Sequence, residues 1–111
     1  MRVQEKESDI LKSILQYLKL KGVFCWRVGT GAFPIEDGAG KRRFFRSGMR
    51  GVSDIIGIYK RHFIAIEVKR PGGKLSVYQQ AFLNEIERHG GISIVAMCID
   101  DVESVFRDMN W

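Results

Sequence analysis

Asp54-Ile55-Ile56-Gly57-Ile58-Tyr59-Lys60-Arg61-His62-Phe63-Ile64-Ala65-Ile66-Glu67-Val68-Lys69 is the stretch whose reading decides the fold. Two apolar runs of strand length, Asp54 to Tyr59 and His62 to Lys69, flank the polar pair Lys60-Arg61. A connection this short predicts an antiparallel hairpin. Side chains along a strand alternate with period 2, so Ile64, Ile66 and Val68 share one face while Glu67 and Lys69 project from the other. If Lys60-Arg61 is a two-residue turn, Tyr59 opposes His62, and counting outward sets Asp54 opposite Glu67. A three-residue loop instead moves Asp54 opposite Val68 unless a bulge restores the register.

Upstream of the hairpin, Ile10, Leu11, Ile14, Leu15 and Leu18 follow Ser8 at helical spacing, and Gly22 is a plausible stop. A helix reaching back to Glu7 carries that carboxylate on the apolar stripe, three residues before Ile10 and seven before Ile14. Val23 to Val28 reads as a strand. Gly29, Gly31, Pro34, Gly38 and Gly40 then mark a long loop, and Lys41-Arg42-Arg43-Phe44-Phe45-Arg46 a short strand, with Ser47 to Gly51 as a turn. Downstream, Pro71-Gly72-Gly73 ends the second hairpin strand. Ser76 opens a helix with Tyr78, Phe82 and Ile86 on one face, closed by Gly90 and Gly91. Ile92 to Ile99 is a strongly apolar strand, and Asp100 or Asp101 caps a last helix bearing Val102, Val105 and Phe106. The order of elements predicts an α/β fold, one mixed sheet flanked by helices.

The bulk composition limits what such a fold can be. The chain's 111 residues leave room for one compact domain, 1-111. Hydrophobic residues at 45% and charged residues at 28% exclude a disordered tail or a fibre. A formal charge of +5 favours polyanionic partners without naming one. Cys25 and Cys98 lie in apolar runs, where a reduced, buried thiol is the expected state. His62 and His89 stand apart from any zinc-ligand spacing. With no bilayer-length apolar segment, and with charges in Met1 to Ser8 where a signal peptide needs an apolar core, a cytoplasmic location without membrane contact is expected.

Directly opposed carboxylates destabilise a sheet unless a cation lies between them. Magnesium suits Asp54 and Glu67, because it prefers hard oxygens, takes one or two carboxylates and keeps positions for water and phosphate; the Val68 carbonyl could add a ligand. Such an ion polarises a phosphodiester and lowers the pKa of a bound water, while Lys69 orients that water or neutralises transition-state charge. The parts make a phosphodiester hydrolase. Plainer readings stand beside this one. An Asp after Gly-Val-Ser can simply cap a turn, and Glu-x-Lys can be an ordinary ion pair. Ser76-x-x-Gln79 fits a capping box, which does not exclude a contribution of Gln79 to the site, and Glu7 can merely complement the helix dipole. Lys41, Arg42, Arg43 and Arg46, with Arg50, are by default a solvated strand and turn, though their Arg and Phe content suits a phosphate backbone.

Three segments in this order, Gly51-Val52-Ser53-Asp54, Ile66-Glu67-Val68-Lys69 and Leu75-Ser76-Val77-Tyr78-Gln79 with Phe82, resemble the VRR-NUC family of restriction-endonuclease-like PD-(D/E)xK nucleases. The likeness runs from Glu7 to about Val95. It implies a restriction-endonuclease-like core, a metal held by Asp54, Glu67 and the Val68 carbonyl, Lys69 as the catalytic lysine, and Glu7 and Gln79 as accessory residues. The implied cofactor is Mg2+, with Mn2+ able to substitute. Ser53 stands where the family usually has proline, although the ligand that follows is retained. Short members without added domains look like homodimeric resolvases of four-way (Holliday) junctions, in which a two-fold axis sets one site on each of two strands. An endonuclease of flaps, nicks or duplexes, or a non-catalytic DNA-binding module of the same fold, are the alternatives.

Overall fold

The hairpin takes the register of a two-residue turn. In the computed structural model, which describes residues 6–29, 32–36, 42–46 and 49–111 (32–36 and 42–46 through their backbone), β4 (Ile55–Tyr59) and β5 (His62–Val68) pair antiparallel, with Tyr59 opposite His62 and Ile55 opposite Ile66. Lys60 and Arg61 alone connect them. Both have positive φ, 48° and 70°, as a type I′ turn requires. Asp54 lies one residue before the first pair and so continues the register towards Glu67.

This hairpin is the centre of a four-stranded sheet ordered β1-β4-β5-β6, which also holds β1 (Phe24–Arg27) and β6 (Ile92–Ala96). β1 joins β4 antiparallel, and β6 joins β5 parallel. A parallel neighbour needs a crossover, supplied here by helix α2 (Val77–Arg88). The predicted mixed α/β sheet flanked by helices is the fold observed. Alternation gives the sheet two faces. Ile55, Ile64, Ile66, Val68, Ile94 and Ala96 meet Ile10, Leu11, Ile14 and Leu18 of α1 (Glu7–Lys21) and Val102 and Phe106 of α3 (Ile99–Asp108). Each such aliphatic side chain contributes ~1.5–3 kcal/mol on burial, so this face holds the fold together. On the other face Ile56 and Ala65 pack on Leu83 of α2.

Several sequence expectations need correction. Residues 32–36 are not part of a long loop: β2 (Ala32–Glu36) pairs antiparallel with β3 (Arg42–Arg46) as a separate two-stranded sheet, with Pro34 opposite Phe44. β6 stops at Ala96 and not at Ile99. The N-cap of α3 is therefore Cys98, neither Asp100 nor Asp101, and Asp101 instead accepts the Met97 N–H through Oδ2 at 2.8 Å. Cys98 is exposed and Cys25, packed against the rim of the main core from the edge strand β1, is only half-buried, both as free thiols. α1 begins at Glu7, in line with Ile10, Leu11 and Ile14 as expected, but at the helix end its side chain is exposed. Tyr78 is exposed too, because α2 rests on the sheet through Leu83.

Gly51 fixes how α2 meets the loop before β4. Its φ is +78°, and a Cβ there would lie 2.2 Å from the Tyr78 carbonyl oxygen and 2.7 Å from the Gln79 nitrogen. Only glycine permits both the conformation and the contact. Among the described residues no helix is long and apolar enough to cross a membrane.

Candidate active site

Glu67 enters the site from a central strand, where its neighbours on both sides and α2 above leave it 1% exposed. A carboxylate so placed needs partners, and the sequence supplies two, with a second acid close by. Gln79 donates from Nε2 to Glu67 Oε1 at 2.9 Å. Lys69, two residues along the same strand face, holds Nζ 3.7 Å from the same oxygen. Asp54 stands on the neighbouring strand end and accepts the Val68 N–H through Oδ2 at 2.8 Å.

Gln79 reaches Glu67 because its helix starts where it does. Ser76 Oγ accepts the Gln79 N–H at 3.1 Å, and Gln79 Oε1 accepts the Ser76 N–H at 2.8 Å, a complete capping box. The amide oxygen thus serves the cap while the amide nitrogen serves Glu67. One side chain caps the helix and touches Glu67.

The second oxygen of Glu67, Oε2, is buried and has no hydrogen-bond partner among the described residues. Burial, and then the nearby Asp54 carboxylate, raise the Glu67 pKa from the ordinary 4.5 to about 8, against the opposing pull of Lys69. Glu7 adds a smaller push in the same direction. A buried acceptor left bare costs on the order of 1–3 kcal/mol, more when charged, and either a proton or a cation removes that cost.

The donor set fits a hard divalent ion. Two carboxylates are opposed, one oxygen is free, and the Val68 carbonyl lies on the same side of its strand as the N–H that meets Asp54. Among the described residues no group of three or more His, Cys, Asp or Glu side chains could enclose a metal. The set therefore suits an ion that keeps water and phosphate oxygens, not one caged by protein. Ser53, just before Asp54, is fully buried, and its Oγ is also unpartnered. Of the expected DNA contacts, Arg50 packs on Tyr78, with its guanidinium carbon 5.1 Å from the ring centroid and Nη1 3.2 Å from the hydroxyl. Lys41 and the side chains of Arg42, Arg43 and Arg46 lie outside the described residues.

Sequence reasoning brought Asp54, Glu67 and Lys69 to one face and read Gln79 as a helix cap with room for a contribution to the site. It missed Gly51 as the contact between that face and α2, although a glycine three residues before the aspartate was a signal open to use. A mixed sheet with opposed acids at the end of its central hairpin is the frame of a restriction-endonuclease-like fold. The VRR-NUC domain model matches residues 5–98, and the chain belongs to that family. It is accordingly a nuclease, with DNA as its substrate. No curated protein sequence matches it.

Proposed function

We propose that the chain is a magnesium-dependent endodeoxyribonuclease in which Asp54, Glu67 and the Val68 carbonyl hold the ion and Lys69 serves the reacting phosphate. The bare, buried Oε2 of Glu67 carries this reading, because it is an acceptor near a second carboxylate that the protein itself leaves unsatisfied. When bound, the ion supplies Lewis acidity towards the phosphodiester and acidifies a water. Gln79 keeps Glu67 Oε1 turned in one direction, so that Oε2 stays presented. The Val68 N–H does the same for Asp54. Lys69, already drawn towards Glu67, is positioned to hold the attacking water or to offset charge developing on phosphorus. Lys41, Arg42, Arg43, Arg46 and Arg50 contribute phosphate contacts.

For substrate form we propose a four-way junction cut by a homodimer, since one site per chain breaks one strand and a two-fold axis supplies the second cut. The test compares junction, flap and linear duplex cleavage with magnesium, manganese and chelator. The wild type should cut the junction preferentially with either ion and nothing in chelator. Asp54→Asn, which keeps a hydrogen-bond acceptor for Val68, and Lys69→Ala should each lower cleavage by at least about a hundredfold while retaining fold and DNA binding. Normal turnover by either variant removes that residue from the mechanism.

A further inference from the structure

On the face that carries Glu67, the register arranges side chains in rows across the sheet. Val28, Asp54, Glu67 and Val95 make the row at the site. Trp26, Ile56, Ala65 and Ser93 make the next, and Phe24, Ile58 and Phe63 the third. Helix α2 covers this face where Leu83 packs on Ile56 and Ala65. Outside that contact Phe24 is 69% exposed, Trp26 44%, Ile58 43% and Phe63 39%. The Phe24 and Trp26 rings lie 5.4 Å apart, tilted by 54°. Large apolar side chains exposed side by side mark a binding surface.

The surroundings of the patch indicate what binds there. At one end Ile58 and Phe63 lead into the exposed Lys60-Arg61 turn, and at the other lies the acidic row where DNA is cut. A purely apolar partner would be served by the rings alone. Aromatic faces bordered by cations are the combination that holds an unpaired nucleic-acid strand, with bases on the rings and phosphates on the ammonium and guanidinium groups. The third row is about 14 Å along the strands from Asp54, a span of about four nucleotides at the stacked spacing of ~3.4 Å.

We propose that Phe24 and Trp26 form a stacking platform for unpaired nucleobases of the DNA substrate, with Arg61 in the turn at its end taking an adjoining phosphate. The platform rests on the reading that DNA is cut at the acidic row, while its binding test does not depend on how the carboxylates act. It gives the nuclease a means of preferring branched or frayed DNA to a continuous duplex.

The test uses the full chain in chelator, so that nothing is cut. Fluorescence anisotropy compares a paired duplex with the same duplex carrying a short unpaired thymidine tail. The wild type should favour the tailed DNA. Joint Phe24→Ser and Trp26→Ser substitution should weaken binding of the tailed DNA by about tenfold or more, since one stacked base is worth ~1–3 kcal/mol, and change the paired duplex by less than about twofold. Trp26→Phe should keep most of the preference. A second measurement needs no double variant: oligothymidylate should quench wild-type tryptophan emission and leave the remaining Trp111 emission of Trp26→Phe unchanged. Equal losses on both DNAs, no loss on either, or no quenching would overturn the platform. So would a drop in molecular mass by light scattering on substitution, which would assign the patch to a second copy of the chain. Wild-type cleavage in magnesium is scored separately, so an inert metal site and an absent platform give different results.

Discussion

At the scale of single residues, Glu67 concentrates the tension of the molecule. Its partners satisfy one oxygen and leave the other bare, and burial beside Asp54 lifts its pKa to about 8. The folded protein thus holds a proton that the unfolded chain releases near 4.5. Between those values the native state binds more protons, so stability must fall as pH rises. The contribution is fully present below about 4.5 and gone above about 8, and is of order a few kcal/mol. The melting temperature of the ion-free protein should drop steadily from pH 5 to pH 8 in calorimetry. Added magnesium should restore it more at pH 8 than at pH 5, because the ion competes with the proton for the same oxygens. A flat profile without metal would mean that Glu67 is an ordinary carboxylate. Ser53 was read as a minor departure from proline, and its buried, unpartnered hydroxyl was not legible in the sequence, because burial depends on what packs above it.

At the scale of elements, what was legible was local. The Lys60-Arg61 turn, the alternation of β5 and the Ser76-x-x-Gln79 box each depend on neighbours a few residues away, and all three stand as read. Together they bring the candidate site to one face. What failed depended on distant partners. β2 carries a proline among nearby glycines and becomes a strand only through its pairing with β3, which no local pattern announces. Cys98 caps α3 because β6 ends early, a boundary decided by how far its partner β5 extends. The hairpin turn holds two long charged side chains at positive φ, where Asn-Gly is the preferred pair. Replacing Lys60-Arg61 with Asn-Gly should raise unfolding stability by about 1 kcal/mol in a urea titration, without changing the register. A loss of stability would show that these side chains contribute more to the fold than their strain costs it.

At the scale of the whole molecule, the net charge of +5 is not evenly informative. The chain leaves the sheet after β1 and returns before β4, so the β2–β3 ribbon is rooted at the end of the sheet where Asp54 lies. Exchanging Arg42, Arg43 and Arg46 together for Gln should weaken DNA binding and reduce the slope of log affinity against log salt by about 3 if each neutralises one phosphate. An unchanged slope would return that run to an ordinary solvated strand. Composition could favour a polyanionic partner but could not say which surface does the binding, because that depends on where the chain re-enters the sheet.

The contact at Gly51 has a mechanical meaning. Because the backbone before Asp54 touches the backbone that begins the Gln79 helix, the two supports of Glu67 are joined behind the acid itself. Anything that pries this seam apart, whether a single added methyl group or a small molecule wedged beside Tyr78, would disarm the nuclease from outside its cutting centre and leave every acidic oxygen intact.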